Sequence, residues 1–201
     1  MTNLLHKSLF SAALVFSFTQ AQAADVYKVD AAASSINWKA SKKVGSSHNG
    51  QIKLKNGEIS LDKQGKITDG NFAIDMATIS NDDLKDNAEY QKKLVTHLSS
   101  EDFFNVAKYP EANFKIKKVS SVSKTSAKIS GDLTFIGQTH SVEFPAKISS
   151  EKGTLTGEGT VVIDRTKWGL KYGSGNFFKE LAADKIINNE FELELKLIAK
   201  K

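Results

Sequence analysis

The sequence predicts an all-β protein, an antiparallel β-barrel of about eight strands with one helical insertion. Three observations carry this. Period-two apolar alternation recurs from Ile36 to Leu197, which marks strands with one buried face. Only the stretch after Asn81 has helical spacing. The polar phase of the last alternating segment is Glu192, Glu194 and Lys196, a row that would be costly against hydrocarbon. The polar faces therefore look outward to water, the apolar faces look inward, and closure hides the sheet edges.

Residues 1–23 read as a cleavable export signal. Lys7 supplies a basic start, Leu9 to Phe18 is an apolar run too short to span a bilayer comfortably, and Ala21-Gln22-Ala23 has the small-x-small form of a signal peptidase site. The expected mature domain is 24–201, periplasmic and soluble, with no integral membrane span. Cysteine is absent, so core burial and sheet pairing must hold the exported fold without disulfides. The formal charge is +5 and falls by one without Lys7. Basic residues alternate with acids and form no long block, which excludes nucleic acid but is compatible with transient contact with a membrane surface.

The strands follow in order as Ile36/Trp38/Ala40, Phe72/Ile74/Met76, Ala112/Phe114/Ile116, Ala127/Ile129, Leu133/Phe135, Val142/Phe144/Ala146/Ile148, Val161/Ile163 and Phe191/Leu193/Leu195/Leu197. Asn56-Gly57 predicts a type I′ hairpin pairing Leu54 with Ile59 and Ile52 with Leu61, since both residues accept positive φ. Further turns are predicted at Asp62 to Gly65, Gly137-Gln138 and Glu151 to Gly153. The helix is expected from Asn81, with Asp82 and Asp83 in its first turn, Leu84, Ala88, Leu94, Val95 and Leu98 on one face, and Lys92-Lys93 towards its end. Ser99 or Ser100 then caps a second short turn carrying Asp102, Phe103 and Phe104.

Three ordered motifs, "VYKVDAAASSINW", "HLSSEDFFNVAKYPEANF" and "SGDLTFIGQTHSVEF", resemble in order and spacing the YceI-like family of exported, lipocalin-like proteins associated with polyisoprenoid binding. "WKASKKVGSSHNGQIKL" and "IDRTKWGLKYGSGNFF" resemble a branch of that family, and Lys92, Lys93 and Thr96 stand where its acidic-arginine element would precede the His-Leu motif. The resemblance implies an elongated lipocalin-like barrel whose apolar tunnel holds the tail of an isoprenoid lipid, a quinone or polyprenyl phosphate, or another long-chain amphiphile. It also implies that the helix and its Phe103-Phe104 end cover part of the barrel, either as wall of the cavity or as a plug.

Strand phase argues separately for space inside. Gly131 shares the parity of Ile129 and Leu133, while Gly157 and Gly159 share that of Leu155 and Val161, so inward positions alternate bulky and empty. An eight-stranded barrel is only just wide enough to hold one small ligand, so a few missing side chains matter. Bulges or bends are the other use of such glycines. The expected lining is Trp38, Phe72, Ile74, Phe103, Phe104, Phe114, Phe135, Phe144, Gly157, Gly159, Ile163 and Trp168. Arg165 and His140 fall on inward parity near strand ends and are candidates for a lipid head group, with pairing of Arg165 to Asp164, Asp184 or a carbonyl as the alternative.

No residue pattern points to catalysis. His48, His97 and His140 lack metal-ligand spacing, no G-x-S-x-G elbow occurs, and "GLKYGSGNFF" lacks the lysine and hydroxyl ending of a phosphate loop. The expectation is a non-enzymatic binding or carrier protein without cofactor or metal. The alternative is a filled barrel with a structural or stress-response role acting through protein contacts.

Overall fold

A computed structural model describes residues 25–201 apart from residue 124, so the expected signal segment lies outside the described residues. Nine strands make one antiparallel sheet: β1 (Asp25–Val29), β2 (Ser35–Ser41), β3 (Ser47–Leu61), β4 (Ile67–Asp75), β5 (Glu111–Ser121), β6 (Ser126–Phe135), β7 (Gln138–Glu151), β8 (Thr154–Asp164) and β9 (Glu190–Lys200). The sheet closes because β4 pairs with β3. β1 and β2 share one strand position. β2 lies between β9 and the first half of β3, and β1 takes over the same place beside the second half of β3 and the end of β9. The barrel thus has eight strand positions, the size at which inward side chains just fill or just fail to fill the interior.

The Asn56-Gly57 hairpin does not form. β3 runs straight through it, and its pairing with β4 slips between Leu54 and Asn56. One extra residue on a strand moves the inward set to the opposite parity, from Ile52 and Leu54 to Gly57, Ile59 and Leu61. Gly57 is required by close approach: a Cβ there would stand 2.8 Å from Cδ1 of Phe72 and 2.9 Å from Cγ2 of Val29. The later turns form, the first of them one residue ahead of the expected Gly137-Gln138. Their central residues, Ile136-Gly137 and Lys152-Gly153, have the paired positive φ of type I′ hairpins, 44° and 76°, and 49° and 77°.

Among the described residues there is one α-helix, α1 (Ala88–Ser99), and it starts later than the expected Asn81. Its N-cap is Asn87, whose side chain accepts from the Tyr90 amide. Asn81 and Asp83 instead fasten the insertion to the barrel. Asn81 is buried and donates to the Asn49 carbonyl and the Asp83 carboxylate, and Asp83 accepts from the Asn49 amide at 2.9 Å and from Nδ1 of His48 at 2.7 Å. After α1, the Ser100 hydroxyl accepts from the Asp102 amide, and the turn carries Phe103 and Phe104.

Candidate functional site

Inside the barrel is an apolar cavity of about 150 Å³. One wall is aromatic. Phe72 of β4, Phe114 of β5 and Phe144 of β7 form a row with centroid separations of 6.1 Å and 5.9 Å. The opposite wall, from β8 and β9, carries Gly157, Gly159, Ile163, Leu193, Leu195 and Leu197, and Ile74 also faces the space. Ile74, Phe114, Leu193, Leu195 and Leu197 are only half-buried although they point into the barrel. Side chains at these positions of a filled barrel would be closed off; here they look onto free volume. A closed apolar cavity near this size takes up a guest the size of benzene, so this space matches a short apolar segment of a larger ligand.

The glycines divide into two kinds. A Cβ on Gly157 would meet nothing nearer than Cβ of Leu197 at 3.9 Å, so its side of the wall is open. A Cβ on Gly131 would lie 2.5 Å from Cζ of Phe114, and one on Gly159 would lie 2.8 Å from the Pro145 carbonyl oxygen and 3.3 Å from the Phe144 ring. These two glycines make room for the rings that form the aromatic wall. Inward parity alone therefore counts one empty position too many at each of them.

Of the expected lining, Phe72, Ile74, Phe114, Phe144, Gly157, Gly159 and Ile163 are brought together around the cavity. Trp38, Phe103, Phe104, Phe135 and Trp168 are not among the residues that line it. Hydrogen bonding explains the tryptophans: Nε1 of Trp38 donates to the Ser80 carbonyl at 2.9 Å and Nε1 of Trp168 to the Leu133 carbonyl at 3.1 Å. A buried indole N–H needs such an acceptor; Ser80 supplies it from the segment ahead of α1, and Leu133 supplies it from β6. Phe104 packs against Phe135, with ring centroids 6.1 Å apart, and Phe103 against His97 and Tyr172 at 5.0 Å and 5.3 Å. Neither ring of the Phe103-Phe104 pair lines the cavity.

Arg165 points inward as its parity requires, but its guanidinium is committed. It is 4% exposed and donates to the carbonyls of Leu170, Ile187 and Asn188 at 2.7 Å, 3.1 Å and 3.1 Å. Burial pushes its pKa down from the ordinary arginine value, and Asp164 nearby acts in the opposite direction. The carbonyl alternative is the observed one. His140 is half-buried with its ring edge-on to Trp168, centroids 4.9 Å apart. Among the described residues no group of three or more His, Asp or Glu side chains could hold a metal ion, and no helix is long and apolar enough to cross a membrane.

Lining residues that sequence reasoning did not single out include Leu193, Leu195 and Leu197. The signal was present in the alternation of the last strand; weight placed on aromatic residues hid it.

Closed antiparallel wall and apolar lumen together define a small barrel able to hold an apolar guest. The model of the YceI-like domain matches residues 27–199, and the chain belongs to the YceI-like family. It is 35% identical over 161 residues to a UPF0312 protein of Pseudomonas fluorescens (strain SBW25), covering 78% of this chain and 76% of that one. A UPF0312 protein of Pseudomonas putida (strain GB-1) is 33% identical over 160 residues, covering 76% and 79%. Among solved structures, the fold is similar to that of BcnA of Burkholderia cenocepacia, with a TM-score of 0.67, 23% identity, and 86% of this chain and 99% of that chain covered. A polyisoprenoid binding domain from Saccharophagus degradans matches with a TM-score of 0.59 and 15% identity over 87% and 97% of the two chains. At these identities the likeness is one of fold.

Proposed function

We propose that the protein is a periplasmic binding or carrier protein that holds the tail of one long-chain isoprenoid lipid, a polyprenyl phosphate or an isoprenoid quinone, without catalysis. The observation that carries this reading is the unfilled apolar lumen between the Phe72–Phe114–Phe144 row and the Gly157 side of β8. Apolar burial at about 25 cal/mol per Å² supplies the affinity, so no strong polar contact is needed to hold a tail. The polyisoprenoid binding domain of like fold supports the ligand class. Periplasmic localisation rests on Lys7, the Leu9–Phe18 run and Ala21–Ala23. The free volume weighs against the filled-barrel alternative.

The test is mass spectrometry of organic extracts from the natively purified protein, with and without incubation with an added prenyl lipid. Near-stoichiometric prenyl lipid supports the carrier. Its absence, together with no uptake of the added lipid, would rule it out.

A further inference from the structure

The buried clamp at Arg165 organises a surface that the cavity does not use. Its guanidinium holds the two ends of segment 169–189 through the carbonyls of Leu170, Ile187 and Asn188. Ser174, 0% exposed, fixes the middle: its hydroxyl donates to Oδ1 of Asn189 at 2.7 Å, and its carbonyl accepts from the amides of both Phe177 and Phe178. The segment is a tied-down scaffold, yet it presents Tyr172, Phe177 and Phe178 to solvent, 42%, 47% and 40% exposed.

The turn between β2 and β3 adjoins it. Lys42 pairs with Ile187, the Lys43 amide donates to the Ile186 carbonyl at 2.8 Å, and Gly173 and Gly175 rest on Ile187 and Ile186. That turn adds Val44, 55% exposed, and the cations Lys42 and Lys43. Lys171 stands over the Phe177 ring, 5.0 Å from its centroid, and Lys179 follows Phe178. In these two segments the acids are Glu180 and Asp184, and Asp184 is already paired with Lys185.

We propose that these two adjoining loops are a docking face for an anionic lipid bilayer, with Phe177, Phe178 and Val44 entering the interface and Lys42, Lys43, Lys171 and Lys179 meeting the head groups. Aromatic side chains interleaved with lysines suit the level where acyl chains meet charged head groups. The apolar part is too small for a second protein. An aromatic side chain carries about 150–250 Å², so three that are half-exposed fall short of the roughly 450 Å² of nonpolar area in one partner's share of a standard protein interface. The excess of lysine over unpaired acid is complementary to anionic lipid. This inference does not depend on what fills the barrel.

The experiment is vesicle flotation of the described chain at low and physiological ionic strength, using phosphatidylglycerol mixed with phosphatidylcholine against phosphatidylcholine alone. Wild-type protein is expected to float with the anionic vesicles and to be released by salt. F177S/F178S and, separately, K42E/K43E should weaken this by roughly tenfold or more while melting temperature and uptake of a detergent-dispersed prenyl lipid stay as in wild type. Absence of flotation at low salt, equal flotation of both variants, or capture of a stoichiometric protein partner by the same face in place of vesicles would overturn it. Docking without lipid uptake would sink the carrier reading alone, and uptake without docking would sink this inference alone.

Discussion

The indole of Trp168 lies face to face with the ring of Phe135, centroids 4.8 Å apart and planes inclined by 16°, and its N–H is fixed on the Leu133 carbonyl. Trp38 is likewise fixed on Ser80. Neither indole lines the cavity. Filling the cavity should therefore leave the native tryptophan emission nearly unchanged, whereas Phe114→Trp places a reporter in the aromatic wall. A titration with a prenyl lipid, followed by fluorescence, checks this; a clear shift of the native emission would show that the ligand reaches the indoles.

Gly157 separates an unfilled lumen from a packed one. Gly157→Leu projects into open space and should leave the denaturation midpoint close to wild type while abolishing lipid uptake. Gly131→Leu and Gly159→Leu drive a side chain into Phe114 or into Phe144 and a backbone carbonyl, and should each cost about 1–3 kcal/mol or more of stability. Urea denaturation with parallel uptake assays distinguishes the sites, and equal destabilisation by all three would mean that β8 lines no usable space.

Strand phase made the barrel and its inward faces legible, because period-two alternation reports direction without knowledge of neighbours. It could not report depth. Gly131, Gly157 and Gly159 share inward parity, yet a ring on the neighbouring strand decides which of them is empty. Phase was also ambiguous at Asn56-Gly57, since a two-residue hairpin and a one-residue slip both reverse the parity of Leu54 and Ile59. Trp38 and Trp168 were placed in the lining from their apolar bulk, while the carbonyls that hold their N–H groups lie 42 and 35 residues away in the chain.

Arg165→Ala removes the donor for three buried or half-buried carbonyls, each group left unsatisfied costing about 1–3 kcal/mol. The expected result is a lower thermal midpoint and a loosened segment 169–189, with equal effects on neutral and phosphate-headed lipids. Arg165→Lys should not rescue, because one ammonium cannot reproduce the planar fork. A selective loss for the phosphate-headed lipid would restore Arg165 as a head-group ligand.

Asp83 predicts an acid-sensitive attachment of the helical insertion. Burial works to raise its pKa, but donation from the Asn49 amide, the His48 ring and Asn81, together with the charge of His48, holds it below the ordinary aspartate value. A carboxylate depressed by folding stabilises the native state above its unfolded pKa, about 3.9, and that contribution is lost as pH falls through the lower folded value. Asp83→Asn should thus be less stable than wild type at neutral pH, with the gap closing in acid. Denaturation midpoints measured from pH 7 to pH 2 check the sign, and a gap that stayed constant would refute it.

The handover from β1 to β2 gives the wall a clasp in an otherwise continuous weave. At every other strand position the ladder on both sides belongs to an uninterrupted run of chain. Here it passes through the residues 30–34, and closure relies on single contacts: the Ser34 hydroxyl, which donates to the Asp30 carbonyl and accepts from the Ile198 amide, the Asp30 amide on the Ile198 carbonyl, and the Lys200–Asp30 ion pair. Ser35, Ile36, Lys196 and Leu197 border the cavity beside this clasp. Parting a few bonds to side chains and one ion pair is easier than unzipping a ladder. The yielding arc of this vessel is consequently in its flank, and amides around Ser34 and Ile198 should exchange with solvent ahead of those in the centres of β6 and β8.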